Sequence, residues 1–322
     1  MMPSISFTRR GFLFGATAAA AYGAARAAGV EGNGGRDESL SVFFSDIHVG
    51  NPDQKTAWGA QPSYQNAMLA KAVDEILAMR LLPARAVCFG DVSLWFGWSG
   101  DYEIAAATLA RLEKAGIDLY VTTGNHDHRE GVFKYFPRQR ELTPVPGRTV
   151  SVIDLGSADL LLMDSLNEAN PKEGSGNPVG GAMDDAQAEW LRAEAMQRKR
   201  PFIVGAHHAP TDLNGCRVVP DLIKSPHFIG WVQGHDHSWS NDWISENYSS
   251  RRIARKATLP STGWWGDIGY ATMRTYADRA ELKLVQRDFY FPNPLKEGEQ
   301  RPKLWDDIIA ENRGASCTFR FG

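Results

Sequence analysis

Residues 117–129 read IDLYVTTGNHDHR, an apolar run that ends in a cluster of polar side chains. The run 117–122 has the length and the β-branched and aromatic content of a buried strand. The tetrapeptide Gly124-Asn125-His126-Asp127 follows it. Three consecutive polar side chains are costly to bury without partners, so they indicate a surface or a functional site at the carboxyl end of this strand.

The same arrangement recurs on both sides of this stretch. Four more apolar runs end in Asp or His: 40–45 before Asp46 and His48, 86–89 before Asp91, 202–206 before His207 and His208, and 228–233 before His235 and His237. Seven of the eight histidines lie in these five segments. Open α/β sheets place ligand sites outside the carboxyl ends of their strands, so the pattern predicts one shared site.

Helical patterns alternate with these runs and predict a single α/β domain without repeat or linker. Apolar spacing predicts helices at 64–82, 102–115 and 184–199, the last with Asp184 or Asp185 as its N-cap. The runs 150–155 and 159–163 predict a hairpin. The final third, with apolar runs near residues 257, 270 and 282, predicts antiparallel strands without regular intervening helices.

Composition limits the classes of function. The chain has 322 residues, 43% hydrophobic and 23% charged, with a formal net charge of −3. No global basic surface is present, so no nucleic-acid polymer is expected as a partner. Three cysteines are too few for a disulfide framework. Cys88 is expected to be a buried apolar residue, and whether Cys216 and Cys317 pair stays open.

The N-terminus predicts export. Arg9-Arg10 precedes an Ala-rich apolar run, 14–22, and the triplet 25–27 has the form of an A-x-A cleavage site. We therefore expect a twin-arginine signal peptide over 1–27, a flexible lead-in over 28–39 and one domain over 40–322, with a periplasmic or secreted location and the twin-arginine machinery as partner. The alternatives are an uncleaved anchor and a chance basic N-terminus. No segment has the roughly 20 apolar residues of a stable membrane span.

The strand-end residues supply carboxylate, amide and imidazole groups. This mixture suits borderline divalent metals such as Zn²⁺, Mn²⁺, Fe²⁺ or Co²⁺. No cysteine lies among the candidates, which argues against a structural zinc site.

Taken in order, the motifs resemble the signature of the calcineurin-like metallophosphoesterases over residues 42–237. They are Asp46-x-His48, Gly90-Asp91, Gly124-Asn125-His126-Asp127, His207-His208 and Gly234-His235-x-His237. The resemblance implies a four-layer α/β/β/α sandwich of mixed sheets with two metal ions at the strand ends. It also implies hydrolysis of a small phosphoester.

The resemblance further implies a role for each position. Asp91 would bridge the two ions beside a bridging hydroxide nucleophile, and His126 would protonate the leaving oxygen as general acid. One ion would be held by Asp46, His48 and His237, and the other by Asn125, His235 and His207, which is favoured over His208.

Two features refine the branch. Val92-Ser93-Leu94 follows Asp91, so the tyrosinate of purple acid phosphatases is not expected. The extension His128-Arg129 resembles the branch of class III cyclic-nucleotide phosphodiesterases and glycerophosphodiesterases. A phosphodiesterase is therefore expected. A phosphomonoesterase, a non-catalytic metal-binding or scaffold protein, and a metal-storage protein are the alternatives.

Two groups of side chains could bind substrate. His128 and Arg129, with Asn125, are expected to contact a phosphate oxygen, the alternative being a salt-bridged loop. Aromatic residues near the candidate ligands could stack on a base, line an apolar pocket for the leaving group, or pack the sandwich edges. They are Trp95, Phe96, Trp98, Trp239, Trp243, Trp264 and Trp265.

Overall fold

The computed structural model describes residues 35–53, 62–214, 217–244 and 254–322. The strands are β1 (Arg36–Phe44), β2 (Leu82–Cys88), β3 (Asp118–Val121), β4 (Ser151–Asp154), β5 (Asp159–Leu162), β6 (Phe202–Gly205), β7 (Phe228–Gln233), β8 (Ser240–Trp243), β9 (Arg255–Thr258), β10 (Gly266–Thr275), β11 (Arg279–Tyr290) and β12 (Ser316–Arg320). The helices are α1 (Pro62–Leu77), α2 (Ser99–Lys114), α3 (Arg129–Tyr135), α4 (Arg138–Leu142), α5 (Asp185–Gln197), α6 (Val219–Leu222) and α7 (Lys303–Glu311).

The strands form two six-stranded mixed sheets. The first has the order β12-β11-β10-β1-β2-β3 and the second β4-β5-β6-β7-β9-β8. In the first sheet β1, β2 and β3 run parallel to one another. In the second, β5, β6, β7 and β9 are parallel, whereas β4 and β5 form the expected antiparallel hairpin.

Side-chain alternation along the strands builds four layers. Phe43 of β1 points into an inter-sheet core, where it packs with residues such as Leu160 and Ile203 of the second sheet. Its neighbour Phe44 points the other way, into a core covered by α1 and α2. On the outer face of the second sheet, Leu191 of α5 packs in a third core. The prediction of an α/β/β/α sandwich is confirmed.

The parallel strands explain why the polar motifs meet. Asp46, Asp91 and Asn125 lie just past the carboxyl ends of β1, β2 and β3, and His207 and His235 lie just past those of β6 and β7. Parallel neighbours end at the same edge, so each sheet contributes one row of side chains to a common edge.

Three sequence expectations differ from the structure. β1 begins at Arg36, so the expected lead-in 28–39 includes four strand residues, of which Arg36 pairs with Leu82. The helix expected to reach residue 82 ends at Leu77, because the chain turns at residues 78–81 to enter β2 at Leu82. Helix α7 was not expected, and it buries only Trp305 among its nine residues.

Other expectations fall partly outside the described residues. Asp184 caps α5 as expected, its side chain accepting from the Gln187 amide. Cys88 is buried. The signal peptide 1–27 and Cys216 lie outside the described residues, so both remain predictions. Among the helices of the described part, none has the length and apolarity needed to cross a membrane.

Candidate metal centre

The loops that carry the site have an unusual backbone. In the described part of the chain six non-glycine residues have positive φ, and five of them are candidate ligands: Asp46 (51°), His48 (44°), Asp91 (50°), His235 (72°) and His237 (54°). A non-glycine residue in this region costs free energy and persists only where the surroundings impose it. The backbone strain is therefore concentrated at the strand-end motifs.

Two buried carboxylates, those of Asp46 and Asp91, each accept hydrogen bonds through one of their oxygens. Asp46 Oδ2 accepts from the Ser45 hydroxyl at 2.5 Å and from the His235 amide at 3.0 Å. Asp91 Oδ1 accepts from the His126 amide at 2.9 Å. The second oxygen of each carboxylate is left to face the centre of the site.

Glycines permit these close approaches. A Cβ on Gly124 would lie 2.1 Å from Asp91 Oδ1, and a Cβ on Gly234 would lie 1.8 Å from Ser45 Oγ. Any other residue would push the carboxylate or its partner away, so these motif glycines are required for space.

Three imidazoles are oriented by backbone carbonyls. Nδ1 donates to Leu94 O in His48 (3.2 Å), to Phe89 O in His207 (2.8 Å) and to Trp264 O in His237 (2.6 Å). A carbonyl only accepts, so each Nδ1 carries a hydrogen and Nε2 is the nitrogen that faces the site. Anchoring the far nitrogen in this way is typical of metal-binding histidines.

The inward-facing atoms are acceptors that crowd one another. His237 Nε2 lies 3.2 Å from both His48 Nε2 and Asp46 Oδ1. That Asp46 oxygen is buried and has no hydrogen-bond partner. Lone pairs at this distance repel unless a proton or a metal ion lies among them, and the carboxylate and imidazole groups of Asp46, His48 and His237 fit a metal ion. Their ligand atoms all lie within 4.8 Å of one another.

A second group meets around His207. Its Nε2 lies 3.2 Å from Asn125 Oδ1, 3.3 Å from His235 Nδ1 and 3.3 Å from Asp91 Oδ2. Asp91 Oδ2 also lies 3.7 Å from His48 Nε2 in the first group. One carboxylate oxygen thus faces both groups, the position expected of a bridging ligand. The fit of both groups to metal ions supports the predicted ligands, whose assignment stays a prediction.

Electrostatics at the site attract positive charge. Burial opposes ionisation of Asp91, but the neighbouring His207 and His126 outweigh it and hold its pKa well below the usual range. Burial also opposes protonation of His207, yet Asp91 and Asp46 raise its pKa to about 9. Burial lowers the pKa of His48 to about 3, which keeps its ring neutral and able to bind a metal.

His208 contacts protein with both ring nitrogens. Its Nε2 donates to Val179 O at 2.9 Å and its Nδ1 lies 2.9 Å from the Ser165 hydroxyl. Although His207, His208 and His235 could group around an ion by distance alone, His208 has no free lone pair to offer. The geometry favours His207, as the sequence analysis did.

His126 lies beside the centre without belonging to either group. Its Nε2 is 3.9 Å from Asp91 Oδ2, and its Nδ1 is buried without a hydrogen-bond partner. Burial lowers the pKa of His126, and Asp91 opposes that shift. The position is consistent with a group that acts on substrate and does not hold a metal.

The structure does not bring His128 and Arg129 to the site as expected. His128 is 3% exposed, and its Nδ1 lies 3.3 Å from Glu168. The Arg129 guanidinium donates to Asp164 at 2.7 and 2.9 Å and to Glu168 at 3.0 Å. With its donors engaged by two carboxylates, Arg129 is not available to a phosphate. The alternative of a salt-bridged loop fits the contacts.

The aromatic residues divide into two sets. Trp95, Trp264 and Trp265 contact candidate site histidines, with ring centroids 4.7 Å from His126, 4.8 Å from His48 and 4.2 Å from His237 respectively. The other four have no ring contact with a candidate site histidine among the described residues, although Phe96 packs on Trp95 at 5.8 Å between ring centroids. Trp243, for example, is 51% exposed and its ring lies under the Arg255 guanidinium.

Three supporting residues were not assigned a role from sequence. Asp127 accepts from the amides of Val92, Ser93 and Gly124, which ties the Asp91 loop to the Asn125 loop. Asn177 donates to Asn125 O and Asp127 O. Asp164 comes just after β5, as the candidate ligands come just after their strands, so its position in the sequence could have indicated a role. The position of Asn177 gives no such indication.

Comparisons with known proteins agree with this architecture. The family described as calcineurin-like phosphoesterase matches residues 41–239. A relative in Rhodopseudomonas palustris, named a probable cyclic nucleotide phosphodiesterase, is 32% identical over 212 residues, which are 63% of this chain and 66% of the relative, just under two thirds of its length. A dimetal phosphatase from Danio rerio has a similar fold, with a TM-score of 0.57 and 15% identity over 76% of this chain and 94% of its own.

Adjacent histidines allow a matched test of the ligand assignment. His207→Ala should lower the metal bound per purified chain, whereas His208→Ala should keep it, since both nitrogens of His208 already contact protein. His208→Ala should instead lower the unfolding free energy by about 1–3 kcal/mol, because it leaves buried polar partners unsatisfied. Elemental analysis and denaturant unfolding measure the two effects. Metal loss confined to the His208 variant would reverse the assignment.

Proposed function

The chain belongs to the calcineurin-like phosphoesterase family, and from this premise we propose that it is a metal-dependent phosphodiesterase. The observation that carries the proposal is the meeting of two acceptor groups at Asp91, with His126 beside them. A non-catalytic scaffold needs no such histidine, and a metal-storage protein needs none either.

The residues present would hold two divalent ions. Asp46, His48 and His237 would bind one, Asn125, His207 and His235 the other, and Asp91 both. When bound, such a pair would lower the pKa of coordinated water to near neutrality and would offset negative charge on the phosphoryl group. Mn²⁺, Fe²⁺, Zn²⁺ and Co²⁺ all suit this ligand mixture.

We assign His126 as the general acid. Hydrolysis joins phosphorus to an oxygen derived from water and breaks the bond to the ester oxygen, which leaves as an alcohol after it gains a proton. The His126 ring lies next to the bridging position, from which it can donate that proton. Burial lowers the pKa of His126 and Asp91 opposes that shift, and the negative charge of a bound phosphoester would oppose it further.

Charge balance favours diesters over monoesters. A monoester dianion is best stabilised by cationic side chains in addition to metals. Arg129 is the arginine nearest in sequence to the ligands, and Asp164 and Glu168 already neutralise it. A diester carries one negative charge and two organic groups, and aromatic rings contact this site. The name of the R. palustris relative agrees with a diester substrate.

We also propose export by the twin-arginine route to the periplasm or beyond. The support is the sequence of residues 1–27, with Arg9-Arg10 before an Ala-rich run. This route transports folded proteins, which suits a metalloenzyme.

The acid role predicts a leaving-group effect. His126→Ala should keep the bound metal but lose about 10²–10⁴-fold in kcat on an alkyl diester. The loss should be much smaller on a nitrophenyl diester, whose leaving group needs little protonation. His227→Ala, a histidine outside the motifs, is the control and should match the wild type. Equal losses on both substrates would contradict the acid role.

The diester preference is tested with matched aryl substrates. The metal-chelated enzyme should be inactive, and added divalent metal should restore hydrolysis with a higher kcat/KM for the diester. A kcat/KM for the monoester that exceeds the diester's by tenfold, about 1.4 kcal/mol in transition-state binding, would show a monoesterase. Hydrolysis of neither would contradict the enzymatic assignment.

Export is tested by replacing both Arg9 and Arg10 with Lys. The double variant should accumulate as uncleaved precursor in the cytoplasm, whereas the wild type should appear in the periplasmic fraction as a shorter chain. Immunoblots of cell fractions make the comparison. Unchanged export of the double variant would rule out the twin-arginine signal.

A further inference from the structure

Four aromatic rings form a continuous row. Trp95 lies 5.2 Å from Trp264, Trp264 lies 6.4 Å from Trp265, and Trp265 lies 5.6 Å from Phe291, measured between ring centroids. The interplanar angles of 78°, 74° and 76° are those of edge-to-face packing. We call these four residues the aromatic row.

The aromatic row lies on one side of the centre. Trp95 contacts His126, Trp264 contacts His48, and Trp265 stacks on His237 at an interplanar angle of 28°. These histidines are the general acid and two ligands of one metal group. Within the described residues, the ring contacts of His207 and His235 are with other histidines. The row is therefore next to the acid and away from the second metal group.

Hydrogen bonds hold the central part of the row in place. Trp264 O accepts from His237 Nδ1, and the Trp264 amide donates to Ser261 Oγ at 2.9 Å. Ser261 Oγ in turn donates to Asp46 O at 2.9 Å. The backbone of the row is thus fixed to two ligand segments before any substrate binds, which lowers the entropic cost of binding.

Exposure varies along the row and is highest at Phe291. Trp264 is 7% exposed, Trp95 and Trp265 are half-buried, and Phe291 is 59% exposed. Packing of the sandwich edge accounts for Trp264. It does not account for Phe291, whose large apolar ring is exposed at the end of the row farther from His126. Half-buried aromatic side chains beside a polar centre are typical of a ligand site.

We propose that the aromatic row binds the leaving group of the substrate, and that this group carries a flat ring system, either an aryl or a nucleoside alcohol. The inference rests on the proposed function, because His126 is the group that protonates the departing oxygen. The leaving group must then lie on the His126 side, where Trp95 is. A flat ring stacks on tryptophan and phenylalanine irrespective of its substituents.

The test compares leaving groups of similar acidity and different shape. Ethyl phosphodiesters with a phenyl or a hexafluoroisopropyl leaving group serve, with kcat and KM measured for each. Trp95→Ala should raise KM for the phenyl ester about tenfold and leave the hexafluoroisopropyl ester within about twofold. Phe291→Ala, which removes an exposed ring that contacts no candidate ligand, should shift KM in the same direction by less. Trp95→Phe should retain much of the preference.

Trp243→Ala is the matched control, since this exposed tryptophan contacts Arg255 and no candidate ligand. It should leave both esters unchanged. A nucleoside 3′-ester as a third substrate distinguishes the two sources of the flat ring, because a larger effect of Trp95→Ala on it than on the phenyl ester would identify a nucleoside.

Two results would overturn the inference. If Trp95→Ala lowered kcat equally for both leaving groups, Trp95 would only position His126. If neither Trp95→Ala nor Phe291→Ala changed the preference, the row would be packing alone. Both results still require metal-dependent hydrolysis of the esters, so they leave the proposed function intact. The absence of any hydrolysis by the metal-loaded wild type would contradict the proposed function itself.

Discussion

The main constraint on the structure is that acceptor atoms are held close together at one edge of the two sheets, where they repel one another. His237 Nε2 faces His48 Nε2 and Asp46 Oδ1 at 3.2 Å, with each Nδ1 hydrogen committed to a carbonyl. Without positive charge among them these contacts destabilise the folded chain. A metal ion bound by these groups would turn the same contacts into coordination, and its binding free energy would then contribute to folding. The candidate ligands keep their positive φ angles in spite of this repulsion.

The sandwich supplies the rigidity that such an arrangement needs. The candidate ligands that follow β1 and β2 belong to one sheet and those that follow β6 and β7 to the other, so their spacing depends on how the sheets pack. The core between the sheets is made of fully buried side chains such as Phe43, Leu160 and Val232. Close-packed interiors resist small displacements. The inter-sheet core therefore sets the distances between ligands that the chain separates by more than a hundred residues.

Much of this could be predicted from sequence, because the ligands follow apolar runs whose strand ends must meet. The α/β class and the shared edge came from that pattern, whereas the four layers came from the family resemblance. The preference for His207, which comes first after its strand, stays a prediction. The predictions that failed concern residues whose contacts are with distant segments of the chain. Arg129 follows the ligand Asn125 closely, but its partners Asp164 and Glu168 lie 35 and 39 residues away. Asn177 lies in an irregular segment whose sequence gives no sign that it contacts Asn125.

His126 links the electrostatics of the centre to the aromatic row. The rings of Trp95 and Trp264 pack on His126 and help to exclude water from it, and burial is the main cause of its lowered pKa. An apolar wall therefore disfavours the protonated acid while it offers a surface to the leaving group. In the proposed mechanism a phosphodiester suits both properties of this wall, since its anionic phosphoryl group would favour the protonated ring of His126 and its organic group would contact the aromatic side chains. Under the proposed roles, substrate binding would therefore favour the protonated form of the acid.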